Sequence, residues 1–225
     1  MKARPKPERY WKRAEAGVYL AGQLLSYAGR SDLLVLGIPR GGVPVAFEVA
    51  RTLHAPLDVV VVRKLGLPEQ PELAIGAIAS GGIRILNEEV VTELRVPKPV
   101  IEAVTRRERR ELERREHAFR GGKAAVDPRG RTVILVDDGL ATGATMRAAI
   151  AAVRQRQPAL LVVAVPVAQS DVFQAIRALV DDMVCPIVSE DFFAVGQWYV
   201  DFSPTSDDDV RELLQRAASP APAAA

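Results

Sequence analysis

The sequence predicts an α/β protein built on a doubly wound, mainly parallel sheet. Short, continuous apolar runs such as Leu33-Leu34-Val35-Leu36 and Thr132-Val133-Ile134-Leu135-Val136 read as strands buried on both faces. Segments of helical period lie between them, and strands that alternate with helices join as parallel βαβ units. Composition agrees: 225 residues, 48% hydrophobic and 26% charged, suit one or two globular domains with a sizeable core.

In chain order, residues 1–30 are expected to form an N-terminal helix packing on the core. Trp11, Ala14, Val18, Ala21, Leu25 and Ala28 recur at helical spacing, and Glu15 interrupts the apolar run, so the basic start is not read as a signal peptide. Residues 33–38 form a strand, a Pro39-Arg40-Gly41-Gly42 turn follows, and 43–53 is helical. Residues 58–63 are a second buried strand. The stretch 64–82 contains Pro68 and Pro71 and has no helical period, so it is expected as a flexible loop with a short hairpin at 74–78. A strand at 83–86 precedes Asn87, a candidate N-cap.

Residues 99–119 read as a charged helix. The segment 106–116 holds six arginines and four glutamates, and the only apolar stripe is Ile101, Val104, Leu112 and Phe119, so most of the helix is expected to be solvated. Strands at 132–136, 160–165 and 183–188 alternate with helices at 143–157 and 172–180. A core therefore spans 31–188, an aromatic-rich segment and a short helix occupy 189–217, and 218–225 is expected to be a disordered tail.

Charge and composition exclude several function classes. Lys+Arg number 30 and Asp+Glu 28, and the net charge of +2 leaves room only for a local nucleic-acid or membrane patch. Cys185 is the single cysteine, so neither an internal disulfide nor a Cys-rich zinc site can form, and His54 and His117 lack metal-ligand spacing. No apolar run approaches the ~18 residues of a membrane span. A cytoplasmic protein with no membrane partner is expected.

The chemistry concentrates in Asp137-Asp138-Gly139-Leu140-Ala141-Thr142-Gly143-Ala144-Thr145. A buried strand delivers two adjacent carboxylates to its carboxyl end, the edge at which open α/β sheets bind ligands. The loop then opens a helix, whose amides form a nest for a phosphate dianion. Gly143 permits close backbone approach, while Thr142 and Thr145 can donate hydroxyls. Asp137 and Asp138 suit vicinal hydroxyls, and a diol plus a phosphate describes a ribose 5-phosphate. A Walker B strand is the competing reading, but no G-x-x-x-x-G-K-[ST] occurs.

This segment resembles the signature of the type I phosphoribosyltransferases: four apolar residues, two acids and a Thr-Gly-x-Thr loop, here close to the adenine-type version with Leu-Ala-Thr-Gly. The resemblance covers about 33–188. It implies that Pro39, Arg40, Gly41 and Gly42 hold a diphosphate. It also implies that Arg63 and Lys64 are the basic dipeptide preceding a mobile catalytic loop, with Arg63, Lys64, Asp137 and Asp138 as catalytic residues. Ala141, Thr142, Gly143, Ala144 and Thr145 would cradle the 5-phosphate. Phe193, Val195 and Trp198 lie in what looks like the C-terminal hood of the 6-oxopurine members and are candidates for base binding.

The implied activity is transfer of a phosphoribosyl group from phosphoribosyl diphosphate to a nitrogenous base, with release of diphosphate. The implied cofactor is Mg²⁺, held mainly by the substrate and supported by Asp137 and Asp138. A homo-oligomer is left open and a nucleic-acid partner is not expected. A nucleotide-sensing or phosphoribosyl-diphosphate-sensing regulator on the same fold, binding RNA or DNA, is the alternative. In 6-oxopurine members an aspartate stands immediately before the Thr-Gly. This sequence has Ala141 there, so proton management would fall to another group such as Glu69 or Glu72.

Overall fold

A computed structural model describes residues 7–70 and 73–218. Glu72 and most of the expected tail lie outside the described residues. The central sheet has five parallel strands in the order β2-β1-β6-β7-β9, with β1 Leu33–Gly37, β2 Leu57–Val59, β6 Thr132–Val136, β7 Leu160–Ala164 and β9 Asp182–Val184. The middle strands β1 and β6 run in register from Leu33 beside Thr132 to Gly37 beside Val136. Their carboxyl ends therefore finish side by side.

Alternate residues of these strands enter two different cores. Leu34, Leu36, Val133, Leu135, Leu161 and Val163 pack against Met146, Ile150 and Val153 of α5 (Ala144–Gln155) and Ile176 of α6 (Ser170–Arg177). Leu33, Val35, Ile134, Val136 and Val162 face Leu20 and Leu24 of the N-terminal segment and Val45, Val49 and Leu53 of α2 (Gly42–Leu53). Burial on both faces is why the strands read as unbroken apolar runs, each such side chain contributing about 1.5–3 kcal/mol.

Four expectations need correction. The buried face of α1 (Arg13–Gln23) is Ala16, Gly17, Leu20 and Ala21, whereas Trp11 is 61% exposed and Val18 and Leu25 face solvent as well. Small residues make the close contact with α2, and the larger ones caught by the spacing lie on the other face. The run 58–63 is not one strand: β2 ends at Val59, and β3 (Val62–Gly66) leaves for a separate antiparallel sheet with β4 (Ala74–Ala79) and β5 (Ile83–Leu86). Within the stretch 64–82, expected as a flexible loop, residues 64–66 and 74–79 are thus strand, stabilised by Leu65, Ile75 and Ile78 against Ile101, Val104 and Leu112 of α4 (Lys98–Arg120). The run 183–188 also divides, at Pro186, which has no N–H for a ladder. Beyond it β10 (Ile187–Ser189) pairs with β8 (Val167–Gln169) instead.

The expected capping residue is in place, with Asn87 accepting the Val90 N–H at 3.3 Å at the start of α3 (Glu88–Glu93). The charged helix occupies its predicted place, and α7 (Asp207–Ala218) closes the described chain. No helix among the described residues is long and apolar enough to cross a membrane.

Candidate active site

β6 ends at Val136 and the acidic pair follows at once. Asp137 Oδ1 accepts the Asp138 N–H at 2.8 Å, which turns the chain out of the strand. The loop returns into α5 through Gly143, whose φ of 72° a side chain would strain and whose added Cβ would stand 2.7 Å from Val172. Thr142, Ala144 and Thr145 are exposed around this helix start, and Ala141 is half-buried. Amides of the first helical turn have no acceptor within the helix, so an anion can take them.

The neighbouring loop meets the acids directly. Gly42 N–H donates to Ile38 O at 3.0 Å, folding residues 38–42 into a tight turn with a cis Pro39–Arg40 peptide. A Cβ on Gly41 would stand 2.0 Å from Asp138 Oδ2, and one on Gly42 would stand 2.7 Å from Val136 O. Only glycines allow this contact between the two strand ends. Arg40 lies outward, with Nη1 3.5 Å from Asp207 Oδ1, and Pro39 is half-buried.

Burial, reinforced by the neighbouring Asp138, raises the Asp137 carboxyl well above the ordinary range. Burial raises Asp138 too, but Arg13 opposes it: Arg13 Nε–H donates to Asp138 Oδ2 at 2.7 Å. The pair therefore divides into an acid that resists ionisation and an acid held by a cation.

Arg63 and Lys64 are adjacent in β3, so their side chains leave opposite faces. Arg63 is engaged by α4, donating to Glu108 Oε2 from Nε at 2.9 Å and from Nη2 at 2.6 Å. Lys64 is exposed.

In the hood, Phe193 is 92% exposed. Trp198 packs its ring beside Phe192, with centroids 6.0 Å apart, and its Nε1 is buried without a partner among the described residues. Val195 lies so close to Gly139 that an added Cβ would stand 2.7 Å from it, which sets this part of the hood against the loop after the acids. The hood is tied down by a contact that periodicity did not suggest. Tyr10 N–H donates to Trp198 O, Val200 N–H to Tyr10 O, and Asp201 N–H to Trp11 O, so the N-terminal segment runs parallel to residues 198–201. The Tyr199 hydroxyl then donates to Asp138 O at 2.6 Å. Burial raises the Tyr199 hydroxyl above its usual range, so it stays protonated as a donor.

With this geometry in place, similarity to known proteins is decisive. The family model for the phosphoribosyl transferase domain matches residues 65–203, from β3 through the acidic pair to the hood. The chain belongs to this family. It is 42% identical to TT1426 from Thermus thermophilus, whose crystal structure superposes with a TM-score of 0.81, covering 94% of this chain and 100% of that one. It is 47% identical over 205 residues to "Putative phosphoribosyl transferase Rv0571c" of Mycobacterium tuberculosis strain H37Rv, and equally to "Putative phosphoribosyl transferase MT0597" of strain CDC 1551. That match covers 91% of this chain and 46% of each relative, so the chain spans about half the length of these curated relatives.

The structure brings Gly41 and Gly42 against Asp138 and Asp137, and the loop that follows these acids runs into the helix start at Gly143. Arg63 is turned to α4, and Phe193 is turned to solvent. Glu69 is exposed, whereas Glu72 lies outside the described residues. Sequence reasoning missed Arg13 and Tyr199, both in contact with Asp138. Arg13 is one of several cations in a basic segment, and nothing local marks it. A cavity of about 540 Å³ lined by Asp58, His117, Arg120 and Arg156 contains none of the candidate residues. It lies beside the buried Arg120–Asp58 pair at 2.8 Å, and we assign it no part in the chemistry.

Proposed function

We propose that this domain transfers the phosphoribosyl group from phosphoribosyl diphosphate to a nitrogenous base, releasing diphosphate. The observation that carries this reading is the contact between two anion-ready strand ends: Gly41 against the Asp138 carboxylate, beside a helix start opened by Gly143. One end suits a diphosphate, the other a 5-phosphate, and the carboxylates between them suit ribose hydroxyls.

Asp137 and Asp138 would accept the ribose hydroxyls, and amides around Thr142–Thr145 would bind the 5-phosphate. Pro39, Arg40, Gly41 and Gly42 would hold the diphosphate, with Lys64 supplying charge as the leaving group departs. A transition state with oxocarbenium character leaves little covalent work, so positioning both anionic ends and excluding water would supply most of the rate. Arg63, held by Glu108, would fix the strand that carries Lys64 rather than touch substrate.

Two adjacent carboxylates are hard oxygen donors that fit Mg²⁺, and they are too few to bind it alone. Asp137 and Asp138 would support an ion whose other ligands come from substrate oxygens. Bound there, Mg²⁺ would neutralise charge on the leaving diphosphate. The hood residues Phe193, Val195 and Trp198 are the candidates for contact with the base, and nucleotide salvage is the class of pathway this activity would serve. A Mg²⁺-dependent diphosphate-release assay against a panel of bases tests the reading, and absence of release with every base would overturn it.

A further inference from the structure

Arg13 stands where four parts of the molecule meet. Its Nε–H donates to Asp138 Oδ2 at 2.7 Å and its Nη1 donates to Ser203 O at 2.8 Å. Its guanidinium carbon lies 3.8 Å from the Phe202 ring centroid and 5.9 Å from that of Tyr199. Its Nε also lies 3.2 Å from the point a Gly41 Cβ would occupy, so the cation borders the candidate diphosphate loop as well. The side chains of Arg13 and Asp138 are only 11% and 14% exposed.

We propose that Arg13 is a positioning residue for phosphoribosyl diphosphate: it fixes the Asp138 carboxylate against the 38–42 loop and latches the hood segment to it. This rests on the phosphoribosyl-transfer reading. The planar fork of a guanidinium suits the task, because it can stack on a ring through its face while donating through its edge. Held on three sides, Arg13 is a fixed partner rather than a mobile one.

The geometry argues against Arg13 blocking the site. A carboxylate offers about four lone-pair directions. Arg13 uses one of them, on Oδ2, so it does not saturate the carboxylate. The carboxylate is thereby held in place with acceptor directions left over that a ribose hydroxyl can use. Arg13 and the substrate can act on the same group without competing for the same lone-pair direction. The two roles predict opposite signs when Arg13 is removed: a positioning residue strengthens substrate binding, and a blocking residue weakens it.

The test is calorimetric titration of phosphoribosyl diphosphate with Mg²⁺, with steady-state kinetics, on the full chain and on Arg13→Gln, Arg13→Lys, Asp138→Asn and the Arg13→Gln/Asp138→Asn double variant. Arg13→Gln should weaken binding about tenfold and raise KM for phosphoribosyl diphosphate by a similar factor, with less effect on kcat. Arg13→Lys should recover part of the loss, and it carries the test should Arg13→Gln not fold. In the Asp138→Asn background, Arg13→Gln should add little, because the residue acts through Asp138. Unchanged or tighter binding in Arg13→Gln, or a full additive loss in the double variant, overturns the proposal. A wild-type chain that binds no phosphoribosyl diphosphate overturns the transfer reading itself, whereas wild-type binding that Arg13→Gln leaves intact overturns this inference alone.

Discussion

Arg63 of β3 and Glu108 of α4 are joined by two hydrogen bonds to a single carboxylate oxygen, at 2.9 and 2.6 Å, across 45 residues of sequence. Glu108 is buried, although it belongs to the most highly charged helix of the chain. Its other oxygen accepts from Arg107 at 3.0 Å. The helix is therefore not simply a solvated arm: one of its charges anchors the strand that carries Lys64.

Replacing Glu108 should accordingly destabilise the fold. Glu108→Gln leaves Arg63 partly buried without its counter-charge, and a loss of about 1–3 kcal/mol is expected, reduced from that of a fully buried pair because Arg63 keeps some solvent contact. Urea unfolding monitored by circular dichroism measures it. A midpoint equal to that of the wild type would assign Arg63 another role.

Lys64 leaves the opposite face of the same strand, and its charge should matter most as the diphosphate departs. Lys64→Ala should lower kcat more than it raises KM for phosphoribosyl diphosphate. Steady-state kinetics with both substrates varied would decide this, since a change confined to KM would make Lys64 a ground-state binder.

Asp137 should show opposed effects on stability and binding. Its carboxyl is raised by burial and by Asp138, so the folded chain holds the proton more tightly than the unfolded one. Its favourable contribution is then full below the unfolded value near ~4 and declines as pH rises through the folded value. Asp137→Asn should raise Tm at pH 8 more than at pH 4, while losing about 1.5–3 kcal/mol of phosphoribosyl-diphosphate affinity. Scanning calorimetry at both pH values, with a binding titration at pH 8, tests the two halves separately.

The outward arginines of α4 carry no chemistry in this reading. Replacing Arg106, Arg107, Arg109 and Arg110 with glutamine should leave diphosphate release unchanged and RNA or DNA binding absent before and after. A gel-shift titration at two salt concentrations would expose a regulator, whose binding would fall steeply with salt and vanish in the variant.

Base choice should follow from Ala141, which cannot exchange a proton with a purine. Hypoxanthine and guanine should be poor acceptors and adenine or a non-purine base better, as compared by initial rates across adenine, hypoxanthine, guanine, xanthine, uracil and orotate. Efficient hypoxanthine turnover would transfer control of specificity to the hood around Trp198.

The sequence alone determined the parallel sheet and its acidic edge. A strand buried on both faces must be continuously apolar, so Val133-Ile134-Leu135-Val136 announces itself, and the acids, glycine and threonines that follow sit within one loop whose order along the chain is its order in space. Gly41 and Gly42 were legible for the same reason. What only the tertiary structure decided are pairings between distant segments. The 58–63 run divides between two sheets because β3 finds partners in β4 and α4, and the exposed face of α1 imitates an apolar stripe because its true contact uses small residues. Arg13 reaches Asp138 across 125 residues. A guanidinium at that distance leaves no periodicity to read, and its partner is chosen by how the N-terminal segment pairs with residues 198–201 and closes over the end of β6.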